Sequence, residues 1–394
     1  MTSLIPAEYW EYSITDFITG LFASNLMNTY PESLPIPGIG NCIPVRSGRV
    51  ALMLALQALP LPPGARIGVP LYCCPVVFKA IEAANCTHCF VDIDPTTACI
   101  SPSDVDRKRH EIDALIAVHM FGNTCDMDAL RQAVQGKPII EDCAQSIGSK
   151  INGRLTGTFG DISFFSFRSG KYISVGEGGA LFTKDQRLRT KLEQLVRDLP
   201  TPNCKEEIKH PLVTYIRSKL RSKPLYGLIG HRLWAFYNKK IDPAAKAPIT
   251  ISQIFKSDQA LTIKRLSMVP SAIDRQRANA DFYSKHLHTS KDMLFAEKPG
   301  TFYNRYLYPF KLKSMTARDS IAKFLYDHRI DAIQPYRDIV DYAAKQYGYR
   351  EGCPVSEQTA KTILAIPTHC HLTDKDRYHI VRSFNDGLKA MGTR

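Results

Sequence analysis

Two hydrophobic periods alternate along the chain from about residue 45. Arg49 to Leu59 carries good helix formers and apolar positions, and Pro75 to Ala84 reads as a second helix whose proline is tolerated in the first turn. Short apolar runs of strand character lie between and after them: Arg66–Pro70, Cys86–Ile93, Ala114–His119, Pro138–Glu141, Asp161–Phe167 and Ala180–Thr183. Asp126 to Val134 is predicted helical with Asp126 as N-cap, and Asp185 to about Val196 is helical too. The alternation predicts an α/β fold, a mostly parallel central sheet with helices on both faces. Ligands of such sheets sit beyond the carboxyl ends of strands, and Asp142 and Ser166 fall there.

Residues 198–257 break this rhythm with several prolines and a basic cluster. Helices resume from Ser257 to about Leu287; a strand at Tyr306–Leu312 and helices at Ala317–His328 and Asp374–Leu388 follow. The expected division is an N-terminal segment (1–40), a large domain (41–270, with the atypical insertion at about 198–257) and a smaller α+β domain (271–394).

Composition narrows the class. The 394 residues are 44% hydrophobic and 23% charged, ordinary for a soluble globular protein, with no run of the roughly 20 apolar residues that spans a membrane. Met1–Glu8 shows no secretion signal, and the eleven cysteines follow no disulfide framework, so reduced thiols and a cytoplasmic location are expected. The net charge of +13 favours anionic partners. Residues 203–250 hold ten basic and three acidic residues, over half of the excess. No recognition motif accompanies the cluster, so no nucleic-acid partner is expected.

The candidate chemistry centres on Lys171. An apolar run, Phe164–Phe167, ends in small polar residues, then Lys171, then Gly176-Glu177-Gly178-Gly179. Upstream, Pro138-Ile139-Ile140 leads into Glu141-Asp142-Cys143-Ala144-Gln145. A lysine at the mouth of a buried strand loses its proton readily and attacks an aldehyde. A carboxylate at a neighbouring strand end keeps a pyridine nitrogen protonated. Pyridoxal 5′-phosphate needs that pairing. Asp142 reads equally well as a helix cap. Gln145 is either a donor to a cofactor oxygen or a polar helix position. Ser47-Gly48-Arg49 precedes the first strong helix, where Ser47 is a simple N-cap or the start of an anion site, with Ser166 as a further phosphate hydroxyl. Cys86-Thr87-His88-Cys89 and His369-Cys370-His371 lack a second ligand pair, and no metal site is expected.

Together these motifs resemble the DegT–StrS family of nucleotide-sugar aminotransferases, most clearly from about 44 to 187, faintly at 257 to 283, and again at Ile363–Pro367 and Leu372–Asp374. The resemblance implies a fold-type-I pyridoxal-phosphate transferase. Lys171 would form the Schiff base, Asp142 would pair with the pyridine nitrogen, and Gln145 would lie near the ring oxygen. Ser166 and the Ser47–Arg49 turn would hold the phosphate. It implies transfer of an amino group from glutamate or glutamine to a keto-sugar on a nucleotide carrier, for polysaccharide or glycosylated-metabolite synthesis, by a homodimer. The alternatives are another reaction of the same cofactor, such as dehydration or amination of a non-sugar ketone, or a non-catalytic, membrane-associated or regulatory role.

Three departures stand out. Arg49 replaces a threonine. Cys74 occupies the position of the aromatic that stacks on the ring, with Tyr72 as a substitute. An Asn-Tyr-Arg-Met-like stretch is missing near Gln253–Asp258. The basic insertion reads as a solvated loop or, alternatively, as a peripheral membrane contact through 212–240. In the second reading Tyr215–Tyr237 forms an interfacial helix with Trp234, Phe236 and Tyr237 on lipid.

Overall fold

The structure, a computed structural model, describes residues 3–26, 32–231, 233 and 248–392. Its first strands are β1 (Leu34–Ile36), β2 (Gly40–Val45), β3 (Arg66–Pro70), β4 (Thr87–Val91), β5 (Ala114–Val118) and β6 (Ile139–Asp142). Then come β7 (Lys150–Ile151), β8 (Arg154–Leu155), β9 (Ile162–Ser166) and β10 (Gly179–Phe182), and later β11 (Thr301–Phe302), β12 (Tyr308–Lys311) and β13 (Ile363–Ile366). The main sheet has the order β1-β2-β10-β9-β6-β5-β3-β4. Strands β4, β3, β5, β6 and β9 are mutually parallel, while β10 runs antiparallel to both β9 and β2. The inner parallel strands β3, β5, β6 and β9 are buried on both faces along nearly all of their length, so that β5 reads as one continuous apolar run, Ala114-Leu115-Ile116-Ala117-Val118, while the edge strand β4 is partly exposed.

Helices α1 (Ile14–Leu26), α2 (Gly48–Ala58), α3 (Pro75–Ala83), α4 (Pro102–Lys108), α5 (Met127–Val134), α6 (Gln186–Arg197) and α7 (Cys204–Leu220) belong to the first part of the chain. Asp126 and Asp185 cap α5 and α6 as their side chains predict. Further on, β12 and β13 pair antiparallel, and helices Met315–Asp327 and Asp374–Ala390 build a second apolar core with them through Phe310, Ile321, Leu325 and Phe384. Ile5 and Tyr283 join that core from the N-terminal segment and the helix Val269–His286.

The insertion departs from both expectations. Residues 204–220 are not a solvated loop but a 17-residue helix, α7, opened by a capping box of Asn203 and Glu206. The single interfacial helix Tyr215–Tyr237 does not form: α7 ends at Leu220, and Tyr226 is fully buried with its hydroxyl donating to Asp331. Trp234, Phe236 and Tyr237 lie outside the described residues. No helix among the described residues is long and apolar enough to cross a membrane.

α7 packs antiparallel on α1. Ser218 bonds the Tyr12 carbonyl, Tyr215 stacks on Phe17 at 5.3 Å, and Ser24 bonds the Glu207 carbonyl. The last bond has a specific cause. Pro211 lacks the N–H that would close the helical bond to Glu207, and the Ser24 hydroxyl, at 3.0 Å, satisfies that carbonyl instead. Gly20 permits the approach, since a Cβ there would lie 3.1 Å from Pro211 Cβ.

Asp16 ties this layer to the helix Lys256–Leu266. Its buried carboxylate accepts from Arg265 (2.8 Å), Lys264 (3.0 Å) and the Ser13 N–H (2.9 Å). Burial opposes the charge, but these partners outweigh it and bring the pKa down to about 2. The carboxylate therefore stabilises the fold above the unfolded value of about 4, and that contribution is lost as pH falls through about 2. Asp16→Asn should lower the unfolding free energy at neutral pH by roughly 3 kcal/mol, because Arg265 is left buried without its charge partner. In urea titrations the gap between wild type and variant should close between about pH 4 and pH 2; a constant gap would rule this assignment out.

Candidate active site

The parallel strands end around one cavity of about 810 Å³. Asp142, the last residue of β6, and Ser166, the last of β9, lie on its wall with Lys171. The start of α2 (Ser47, Gly48, Arg49) and the start of α3 (Cys74) also open onto it.

Strand alternation separates Glu141 from Asp142. Successive side chains point to opposite faces. Glu141 is fully buried and accepts from His119 Nε2 (2.9 Å) and from the N–H groups of Gly157, Phe159 and Gly160. His119 Nδ1 accepts from the Cys125 N–H at 3.0 Å, so its Nε2 carries the proton donated to Glu141. Burial works against the Glu141 charge, yet these bonds hold its pKa below the usual carboxylate range. Asp142 receives one backbone bond, from Ala144 N–H at 2.9 Å. Burial raises its pKa, only partly offset by that bond, Lys171 and His119.

Lys171 stands half-buried in a loop held by its glycines. Gly176 has φ +116°, and a Cβ there would meet Thr214 Oγ1 at 2.8 Å and His210 Nε2 at 2.9 Å. The loop is fixed further by Tyr172, whose hydroxyl donates to the Asn304 carbonyl, and by Tyr306, whose hydroxyl donates to the Gly170 carbonyl. Glu177 pairs with Arg46 at 2.7 Å, and Arg46 lies over the Phe255 ring. Lys171 Nζ sits 4.5 Å from the Tyr306 ring centre. Burial first, then Arg168, push its ammonium down to about 8, against Glu8 and Asp142. Desolvation thus moves both Lys171 and Asp142 toward their neutral forms.

Ser47 caps α2, its Oγ accepting from the Val50 N–H at 3.3 Å, so the simple capping role is realised at the cavity wall. Gly48 lies against Ser166, where a Cβ would approach Ser166 Cβ to 3.1 Å. Arg49 Nη1 is buried with no hydrogen-bond partner among the described residues. A helix N-terminus beside such a guanidinium suits an anion.

Gln145 is in the cavity wall, but its amide is already engaged: Oε1 accepts from the Phe121 N–H (3.0 Å) and Nε2 donates to the Tyr336 hydroxyl (3.2 Å). Tyr72 does not serve as the substitute aromatic; it is fully buried outside the cavity lining, donating to the Pro335 carbonyl at 2.8 Å. Among the rings that do line the cavity are Tyr306, Tyr336 and Tyr342. Arg168 and, from α7, His210, Thr214 and Arg217 also reach it. Sequence reading did not single these out. Arg168 was within reach, three residues before Lys171, whereas the tyrosines and α7 arrive from distant parts of the chain.

Cys89 lies in β4 and Cys86 just before it. Among the described residues one group with ligand spacing occurs, His119, Glu141 and Cys143. Its carboxylate is spent on the four bonds above.

The profile of the DegT/DnrJ/EryC1/StrS aminotransferase family matches residues 36–209 and 251–385. The chain belongs to this family and is an aminotransferase. It is 27% identical over 352 residues to the GDP-perosamine synthase of Escherichia coli O157:H7, covering 87% of this chain and 84% of that protein. It is 28% identical over 355 residues to the UDP-N-acetyl-3-dehydro-alpha-D-glucosamine 3-aminotransferase of Acidithiobacillus ferrooxidans, covering 87% and 83%. The fold is that of the putative sugar aminotransferase Spr1654 from Streptococcus pneumoniae in its PLP form, with TM-score 0.79, 19% identity and 98% and 99% of the two chains covered. The fold-type-I expectation therefore holds.

Glu141→Gln should destabilise the protein strongly. It turns an acceptor toward the Gly157, Phe159 and Gly160 donors into a donor and strands at least one buried N–H, costing about 1–3 kcal/mol. The thermal midpoint should fall by several degrees; an unchanged midpoint would show that the three N–H groups are satisfied elsewhere.

Proposed function

We propose that the protein uses pyridoxal 5′-phosphate to move an amino group from an amino acid, glutamate or glutamine, to a keto-sugar carried on a nucleotide. The observation that carries this reading is the convergence of Lys171 and Asp142 on one cavity that also holds the Arg49 cradle. The residues fit the cofactor. The orphaned Arg49 Nη1, the Ser47 turn with Gly48, and Ser166 would hold its phosphate. Asp142 would pair with the ring nitrogen, and a cation there would supply the partner that its burial lacks. Cys74 would lie at the ring's face. Gln145 would reach the ring oxygen only by releasing Tyr336.

When bound, the cofactor supplies an aldehyde and an electron sink. The chain's own residues do the rest. Lys171 Nζ, depressed to about 8, is neutral in about a tenth of molecules at pH 7 and acts as nucleophile and proton carrier. Asp142 stays ionised opposite a protonated ring nitrogen. Arg168 and Arg217 add positive charge to the cavity wall, which suits a diphosphate-bearing substrate.

A second reading is favoured by one observation. Over 163 residues, 41% of the chain, identity reaches 35% to the L-glutamine:2-deoxy-scyllo-inosose aminotransferase of Micromonospora echinospora. Amination of a free cyclic ketone with glutamine as donor is therefore the alternative. Single-turnover assays of the aminated enzyme against nucleotide-linked keto-sugars and against 2-deoxy-scyllo-inosose separate the two.

Lys171→Ala should fold yet lack the visible absorbance of lysine-linked pyridoxal phosphate; an unchanged band would refute the assignment. In wild type stripped of cofactor, the rate of pyridoxal-phosphate uptake should rise with pH through about 8, because the neutral amine is the nucleophile. A midpoint near 10.5, the ordinary lysine value, would show that Lys171 is not desolvated. Arg49→Ala should weaken cofactor affinity by about tenfold or more while leaving the absorbance maximum in place.

A further inference from the structure

α1 and α7 are amphipathic in the reverse of the usual sense. Their buried side chains include Asp16, Glu207, Thr214 and Ser218. Their exposed ones include Ile14, Ile18 and Phe22 on α1 and Ile208, Leu212 and Ile216 on α7, each 45–60% exposed. Each set follows an i, i+4, i+8 spacing and forms one stripe.

The two stripes emerge on one side of the helix pair. At about 100° per residue, the α1 stripe is centred about 130° round from the residues that meet α7 (Phe17, Gly20, Ser24). The α7 stripe is centred about 105° round, in the same sense, from Glu207, Pro211, Tyr215 and Ser218. In an antiparallel pair, similar offsets of the same hand bring both stripes to the same side.

Charge selects what covers this face. Lys205, Lys209 and Lys219 fall within the same arc of α7 as its three apolar residues, an arc of about 100°. Neither helix places a carboxylate there. Asp16 and Glu207 are buried on the inner sides, and Glu206 turns back to cap Asn203. A second copy docked on this face by two-fold symmetry would bring its own lysine-bearing arc against this one with no carboxylate on either to offset the charge. An anionic surface complements it instead. Large apolar side chains flanked by lysines that snorkel are the features of a helix lying in a lipid headgroup layer.

We infer that the α1–α7 face docks on the surface of an anionic lipid bilayer. The contact is peripheral and independent of how the cavity is read. It differs from the sequence expectation in its residues: the helix pair carries it, not a continuous helix from Tyr215 to Tyr237. The opposite side of α7, with His210, Thr214 and Arg217, lines the cavity, so the same helix faces the lipid and the active site.

Flotation of the full-length holoenzyme tests this. Wild type should float with vesicles of equal parts phosphatidylglycerol and phosphatidylcholine, release at high salt, and stay unbound with pure phosphatidylcholine. The variant Phe22→Ser/Leu212→Ser/Ile216→Ser and the variant Lys205→Glu/Lys209→Glu/Lys219→Glu should each lose binding by about tenfold or more. Far-UV circular dichroism should be unchanged in both. Should the serine variant unfold, the reversal Lys205→Glu/Lys209→Glu, which leaves the Lys219 contact with the Tyr215 ring in place, decides alone. Failure of wild type to float, or flotation of the reversals like wild type, would overturn the inference. So would conversion of a dimer to monomers by the serine variant with flotation intact, which would assign the face to a second copy.

Discussion

Adjacent carboxylates at the end of one buried strand govern this site. Glu141 and Asp142 share a backbone but face opposite ways. The first is saturated by three backbone N–H groups and a histidine of fixed tautomer. The second has a single N–H donor and a raised pKa. The saturated carboxylate clamps the turn 157–160 to β6 and so fixes where the strand ends. The under-bonded one is left facing the cavity with capacity to spare. Lys171 meets it across a loop that only glycine at 176 lets pass beneath α7. Desolvation acts on both groups toward neutrality; a bound cationic heterocycle would give the Asp142 carboxylate a partner and would favour the neutral amine of Lys171 further.

Much of this was legible in the chain because it is local. A lysine after an apolar run, an acid after Pro-Ile-Ile-Glu, and a Ser-Gly-Arg turn before a helix each carry their geometry within a few residues. The inner parallel strands were equally plain, since burial on both faces leaves no alternation to misread. What local patterns missed came from elsewhere in the fold. Tyr336 reaches the cavity from the stretch before the helix Ile339–Tyr347, packed on the large core, and ties up Gln145, which sequence alone left open. Tyr72 looked available as a stacking ring because its position follows β3; burial against the Pro335 carbonyl removes it.

The insertion was misread for a physical reason. Helix patterning assumes that apolar residues face inward. In α7 the inward residues are Glu207, Pro211, Thr214 and Ser218, and the outward ones are Ile208, Leu212 and Ile216. Pro211 adds a further false stop, because the carbonyl it orphans is satisfied by Ser24, nearly two hundred residues away in sequence. Neither signal can be interpreted without knowing that α1 lies alongside.

The positive charge of the chain divides by residue type along that helix. Arg217 lines the cavity with Arg49 and Arg168, while Lys205 and Lys209 are exposed outside it and Lys219 lies over the Tyr215 ring. Guanidinium is planar, weakly hydrated and able to fork onto phosphate oxygens, which suits an enclosed wall. Ammonium on a flexible stem keeps its water and suits an open face beside apolar residues. An excess of +13 spread at random would place both types on both sides. The sorting argues that α7 handles two anionic surroundings of different kinds, one in a fixed pocket and one diffuse. A helix with those two duties must invert the usual pattern, because the sheet core already occupies neither of its faces.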